Sequence, residues 1–271
     1  MMSSLDPAMP TSVSTSVTLT ALSGVPDIVE GDDLATIIGD CLDAVGLALH
    51  EGDILCVAQK IFSKAEGCIL PLADVVPSEE ALRLADIVAR DPRKIEVILR
   101  ESRSVVRAFR HPGQSEGVLI CEHRLGFVSA NAAVDESNLG QTEAVMTLPM
   151  DPDASCAALG STLSARYGHA RIGVVMTDTF GRPWRIGQVN VAIGLWQVPA
   201  TIREQGNMDA WGRKLNVTEP ALADEIAAAS GLVVRKNAKT PVVLLRGLGW
   251  VAAPQSRATD IVRQQREDLF R

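Results

Sequence analysis

The sequence predicts an α+β protein built on a mixed sheet, with neither a Rossmann nor a P-loop architecture. Short β-rich apolar runs (VTLTAL, DILCVAQ, RIGVVMT, PVVLLRG) are interspersed with stretches of 3.6-residue hydrophobic period, without the steady βαβ alternation of a doubly wound sheet. Neither GxGxxG nor GxxxxGK[ST] is present. With 46% hydrophobic and 22% charged residues, 271 residues suffice for one large domain or two modest ones.

The elements follow in order. VTLTAL alternates apolar and hydroxyl side chains as a strand does, and Gly24 and Pro26 then turn the chain. Asp32 or Asp33 caps a helix with Leu34, Ile37, Ile38, Cys41, Leu42 and Val45 on one face. DILCVAQ is a strand, and KIFSKAEG reads as a polar loop bounded by Gly67. Pro77 and Ser78 open a second helix. Asp91 and Pro92 cap and start a third. VVRAF and GVLICEH are strand-like, as is AVMTL, and DPDASCAALGSTLSARYG reads as a helix. RIGVVMT, residues 171–177, is a strand ending at Asp178. PALADEIAAASGLVV is a late helix before the strand PVVLLRG, and RATDIVRQQREDLF is expected as a surface helix with a thin apolar face.

The resulting division is a disordered polar tail over residues 1–17, a main domain over 18–250 with an inserted lobe at 77–150, and a charged segment over 251–271. A net charge of −7 argues against a nucleic-acid or acidic-membrane binder. No run of 18 apolar residues offers a membrane span, and the polar N-terminus lacks the pattern of a signal peptide. Five cysteines form no CxxC pair and read as inert thiols of a reducing, cytoplasmic compartment.

Two polar nodes carry the chemistry. Asp178-Thr179-Phe180-Gly181-Arg182-Pro183-Trp184-Arg185 delivers a carboxylate and a hydroxyl at a strand end, suited to a hard divalent cation, followed by Arg182 and Arg185, suited to phosphate or carboxylate oxygens. Asn131-Ala132-Ala133-Val134-Asp135-Glu136-Ser137-Asn138 offers Asp135 as a second shared carboxylate and Asn138 near a nucleotide. A capped turn with surface arginines and an Asx-rich turn account for the same residues without function. Lys60, Ser63 and Lys64 suggest phosphate contacts, and a solvated loop is the alternative. His123 and Arg124 end an apolar run, where a structural histidine is the commoner case. Asp224 and Glu225 sit on a predicted helix, facing either solvent or a site.

In these blocks the chain resembles the coenzyme F420:L-glutamate ligase (F420-0 gamma-glutamyl ligase) family in its standalone form. The matching blocks run in order from LSGVPDIVEGDDL, VAQKIFSKAEG and EHRLGFVSANAAVDESN to RIGVVMTDTFGRPWRIGQVNVAIG, MDAWGRKLNVTEPALADEIAAAS and PVVLLRG, covering nearly all of residues 20–248. The family's usual NAG block stands here as Asn131-Ala132-Ala133, and Val234-Arg235 replace its Met-Gly pair.

The resemblance implies a mixed-sheet ligase fold with two interwoven subdomains and a homodimer with its site near the subunit boundary. It implies addition of L-glutamate to the coenzyme F420 precursor by amide formation through an acyl phosphate. GTP is the implied co-substrate, with Mg²⁺ or Mn²⁺ as cofactor and K⁺ as an admitted further ion. Val25, Pro26, Asp27, Ile28, Gln59, Lys60, Lys64 and Asn138 would contact GTP. Asp135, Asp178 and Thr179 would hold metal, and Asp135, Asp178, Arg182 and Arg185 would act in catalysis. A related amide ligase with another deazaflavin-like acceptor, and an inactive nucleotide-binding scaffold, are the alternative functions.

Overall fold

The computed structural model describes residues 16–137, 143–234 and 239–268. Its centre is a mixed five-stranded sheet formed by β1 (Thr18–Ala21), β2 (Ile54–Ala58), β8 (Gly173–Arg182), β9 (Arg185–Trp196) and β10 (Val242–Arg246), in the spatial order β1-β10-β2-β8-β9. Only β2 and β8 run parallel, with Ala58 opposite Thr177; the other pairs are antiparallel.

The central strands are near-continuous apolar runs because both faces of the sheet are covered. Leu55, Val57, Val174, Met176 and Leu244 enter one core with α1 (Leu34–Ala44) and α5 (Pro152–Arg166). Ile54, Cys56, Val175, Val243 and Leu245 enter another with α6 (Leu222–Ser230). Asp33 caps α1, and Asp151 caps α5 ahead of Pro152. The α5–β9 contact is unusually close: a Cβ at Gly160 would overlap the Trp196 ring, and one at Gly194 would lie 2.7 Å from the Pro152 carbonyl oxygen.

Between β2 and β8 the chain makes α2 (Gln59–Ala65), β3 (Ile69–Pro71), α3 (Glu79–Val88), α4 (Pro92–Arg100), β4 (Ser102–Phe109), β5 (Val118–His123), β6 (Val128–Ala130) and β7 (Ala144–Met146). Ser78 caps α3 and Asp91 caps α4. These two helices cover the β4-β5-β6 sheet through a core of their own that includes Leu84, Val88, Ile95, Ile98, Leu119 and Cys121. β3 pairs separately with β7.

Three expectations change. KIFSKAEG is not a loop: α2 begins where β2 ends, and Ile61, Phe62 and Ser63 are buried. Asp178 does not close its strand, because β8 continues to Arg182 and turns into β9 as a long hairpin. The charged C-terminal stretch forms two short 3₁₀ turns, Ala258–Ile261 and Gln265–Glu267, rather than an α-helix; Ala258 is the one buried residue of the two turns. No helix among the described residues is long and apolar enough to cross a membrane, and the five cysteines are free.

Candidate active site

Three chain segments converge beside the carboxyl end of β2. The first is the β2–α2 junction. Gln59 is buried, and its Oε1 accepts a 2.8 Å hydrogen bond from Ser63 Oγ one helical turn on. The next residue, Lys60, turns toward the second segment. Its Nζ forms an ion pair with Asp135 and donates to Ser137 Oγ at 2.9 Å and to the Ser137 carbonyl at 3.2 Å.

That second segment has an unusual backbone. Asn131, Ala132 and Ala133 all adopt left-handed φ values, of 54°, 47° and 55°. Each alanine there carries a steric cost of about 1–2 kcal/mol, which Gly would largely avoid. The turn closes with Val134 N–H donating to the Asn131 carbonyl at 2.9 Å. Asp135 is then pinned to Met146 of β7 by reciprocal backbone bonds of 2.9 and 2.8 Å. Burial opposes the Asp135 charge, but Lys60 and the Ser137 N–H outweigh it and hold its pKa below the usual value.

The third segment is β8. Ala58 lies opposite Thr177, so Asp178 emerges next to the start of α2. Asp178 Oδ1 accepts from the Thr179 N–H at 2.7 Å. Burial pushes its pKa up to about 6; the Thr179 hydrogen bond opposes this, the Asp135 charge adds to it, and Lys60 partly offsets it. The two carboxylates therefore sense one another across Lys60. Thr179 follows Asp178 on a strand, so its side chain takes the opposite face, where Oγ1 donates to Asn190 Oδ1 at 3.1 Å. Its backbone N–H reaches the Asp178 carboxylate; its hydroxyl does not.

The Val25–Ile28 loop borders the same helix. Val25 and Ile28 anchor in the main core, while Pro26 and Asp27 are exposed. The loop is tied to α2 through Gly31 N–H and the Ala65 carbonyl at 2.9 Å. Lys239 Nζ meets both oxygens of Asp27 at 3.0 Å; that hydrogen bond and the Lys239 charge lower the Asp27 pKa, with a smaller contribution from Lys64. Val25, Pro26, Asp27, Ile28, Gln59, Lys60 and Lys64 thus form one neighbourhood.

Arg182 and Arg185 stand apart from it. They face each other at the exposed tip of the β8–β9 hairpin, four residues and roughly 13 Å along the strand beyond Asp178. Trp184 is 81% exposed between them, and Ile186 is fully exposed. Asn138, Arg235 and Lys236 lie outside the described residues.

Sequence reasoning missed Arg90. Its guanidinium is almost enclosed, donating to Asn131 Oδ1 at 2.9 Å and to Glu136 Oε1 at 2.5 Å, at the two ends of the Asp135 segment. No motif marks it. Asp224 lines the apolar cleft beside Phe127 and Phe180 and accepts from the Ala192 N–H at 2.9 Å, beside the register shift of β9, while Glu225 is exposed. His123 is a packing residue. Its buried ring stacks on Phe127 at 4.6 Å, Nδ1 accepts from Leu125 N–H, and Nε2 stands 3.4 Å from Glu101. Phe127 in turn contacts Phe180 at 4.9 Å. These rings border an apolar cleft of about 290 Å³ lined also by Val191, Ile193 and Val262.

Among the described residues no group of three or more His, Cys, Asp and Glu side chains is arranged for a metal ion. Two facing carboxylates are nevertheless a donor set that Mg²⁺ or Mn²⁺ accepts when phosphate oxygens and water complete the shell.

A family model described as F420-0:Gamma-glutamyl ligase matches residues 24–247. The chain is 37% identical over 257 residues to coenzyme F420:L-glutamate ligase of Methanothermobacter thermautotrophicus, covering 94% of this chain and 99% of the relative. Identity to the enzyme of the same name from Methanopyrus kandleri is 41% over 246 residues, 89% of this chain and 92% of the relative. For that of Methanocaldococcus jannaschii it is 35% over 224 residues, 82% and 86%. The matched span takes in Lys60, Asp135 and Asp178 together, and the chain belongs to the F420-0:gamma-glutamyl ligase family.

Proposed function

We propose that this protein is a cytoplasmic ligase that joins L-glutamate by an amide bond to the carboxylate of the coenzyme F420 precursor, with GTP as co-substrate and Mg²⁺ or Mn²⁺ as cofactor. The observation that carries the reading is the meeting of Lys60, Asp135 and Asp178 from three distant segments of a chain belonging to this family.

A carboxylate does not acylate an amine at neutral pH, because its oxygen is a poor leaving group. In the proposed reaction the acceptor carboxylate oxygen attacks the γ-phosphorus of GTP, the bond to the β-phosphate oxygen breaks, and an acyl phosphate and GDP form. The glutamate amine, having lost one proton to solvent, attacks the acyl carbon; the acyl–oxygen bond breaks and phosphate leaves carrying the second amine proton.

The chain's own groups serve these steps by position. The Val25–Ile28 loop, Gln59 and Lys64 border the space for the nucleotide, and Lys60 offers an ammonium to the transferring phosphoryl group. Asp135 and Asp178 would hold the divalent ion, which when bound neutralises phosphate oxygens and favours in-line transfer. The apolar cleft beside Phe127 and Phe180 suits the fused ring of the acceptor. The exposed Trp184 and Ile186 support a homodimer in which the hairpin tips, with Arg182 and Arg185, reach a partner subunit.

The test is incubation of purified protein with the unglutamylated precursor, L-glutamate, GTP or ATP, and Mg²⁺ or Mn²⁺, with and without K⁺, followed by product mass. A glutamate-sized addition that requires GTP and the divalent ion is expected. No addition by folded protein rejects the reading.

A further inference from the structure

We propose that Arg90 is a positioning residue for the reaction: its single guanidinium spans the segment from Asn131, which opens the left-handed turn, to Glu136, which follows Asp135, and so fixes Asp135 near Asp178. The proposal rests on the ligase reading for the role of Asp135, and on geometry alone for the clamp.

Arg90 follows the left-handed Ala89 that ends α3, and its N–H donates to the Ala85 carbonyl at 3.2 Å. The side chain therefore departs from a fixed point. Its side chain is only 9% exposed. One Nη donates to Asn131 Oδ1, where the turn begins, and the other to Glu136 Oε1, immediately after Asp135. Asn131 Oδ1 also accepts from Leu119 N–H at 3.4 Å, tying the turn to β5. Lys94 Nζ holds the other Glu136 oxygen at 2.6 Å, and Glu116 closes on Arg90 Nε at 3.5 Å.

The need for a clamp follows from the backbone. Three successive residues in the left-handed region persist only where their surroundings over-determine them. The Ala132 side chain packs into the core of the α3–α4 lobe, and Met146 pins Asp135 itself. Arg90 adds what neither supplies: a link between the first residue of the turn and the residue after the carboxylate. A planar fork can hold both at once, whereas an ammonium cannot reproduce that geometry. Arg90 is thus the part of the lobe through which Asp135 is aimed.

Arg90→Lys keeps the charge and removes the fork. We expect it to remain folded by circular dichroism while the Val134 amide, the bond that closes the turn, exchanges with deuterium at least about tenfold faster and the amides of α5 do not change. In amide synthesis kcat should fall about 10- to 100-fold with KM for the acceptor within about threefold. Adding Ala133→Gly, which lowers the cost of the turn, should restore part of that kcat while leaving the otherwise wild-type enzyme near its original rate.

Wild-type exchange at Val134, or full kcat, in a folded Arg90→Lys overturns the proposal. If Arg90→Lys does not fold, Glu136→Gln weakens one arm of the clamp and must shift the same amide in the same direction; unchanged exchange there overturns it equally. Should the wild-type protein form no amide, the ligase reading fails, and the exchange measurement still decides the clamp.

Discussion

Lys60 and Asp135, 75 residues apart in the chain, are joined as an ion pair, and the Lys60 charge also reaches Asp178. A divalent ion held by the same carboxylates, as proposed, would compete with it. Lys60→Met should therefore bind Mn²⁺ more tightly in the absence of nucleotide, by about tenfold, because the competing charge is gone. Turnover should fall by about 10²–10³, the scale of one lost electrostatic contact to a reacting phosphoryl group. Calorimetric Mn²⁺ titration and steady-state kinetics check the two directions separately.

Asp178→Asn separates function from stability. The folded pKa of Asp178, about 6, lies above its ordinary 3.8, so between these values the folded state holds more proton than the unfolded one. Stability then falls as pH rises through that window, and the ionised carboxylate is a burden above it. In protein stripped of divalent ions, Asp178→Asn should be more stable than the wild type at pH 7.5, by up to about 3 kcal/mol, and lose that advantage near pH 4. Amide synthesis should drop by two powers of ten or more. Thermal unfolding at several pH values, with and without Mn²⁺, tests both; a wild type that gains no stability from Mn²⁺ counts against Asp178 as a ligand.

Ala133→Gly should stabilise the protein. The side chain gains nothing from its left-handed φ of 55°, and Gly removes the clash at the cost of a more flexible unfolded chain. A net gain of about 0.5–1 kcal/mol, or roughly 2 °C in Tm, is expected. A lower Tm would mean that the Ala133 methyl, which packs at the edge of the main core, outweighs its backbone cost.

Gly160→Ala should do the opposite without touching chemistry. The added methyl overlaps the Trp196 ring, so α5 or the tryptophan must shift, at about 1–3 kcal/mol. Thermal unfolding should register this, while kcat per folded molecule stays near wild type.

The sheet and helices were legible where one signal dominated. The cap at Asp33 and the period through Leu34, Ile38 and Leu42 gave α1, and Asp91-Pro92 gave the start of α4. The two acidic nodes stood out because each ends or interrupts an apolar run. α2 was hidden because its short length and two lysines mask the buried Ile61, Phe62 and Ser63. Asp178 looked terminal because the residues after it are polar; they continue the strand through pairing with β9, which no local pattern announces. Arg90 was invisible for a similar reason, since its partners lie 41 and 46 residues away and its role exists only once the lobe has folded.

The parallel pairing of β2 with β8 also orders events in time. Those strands are separated by more than a hundred residues, about half of which form the α3–α4 lobe and its sheet. Closing so long an excursion is slow, and local contacts within the lobe precede it. Lys60 sits just past one of the two strands, Asp178 on the other, and Asp135 on the excursion between them. A chain that has not yet closed its central sheet has consequently not brought Lys60, Asp135 and Asp178 together.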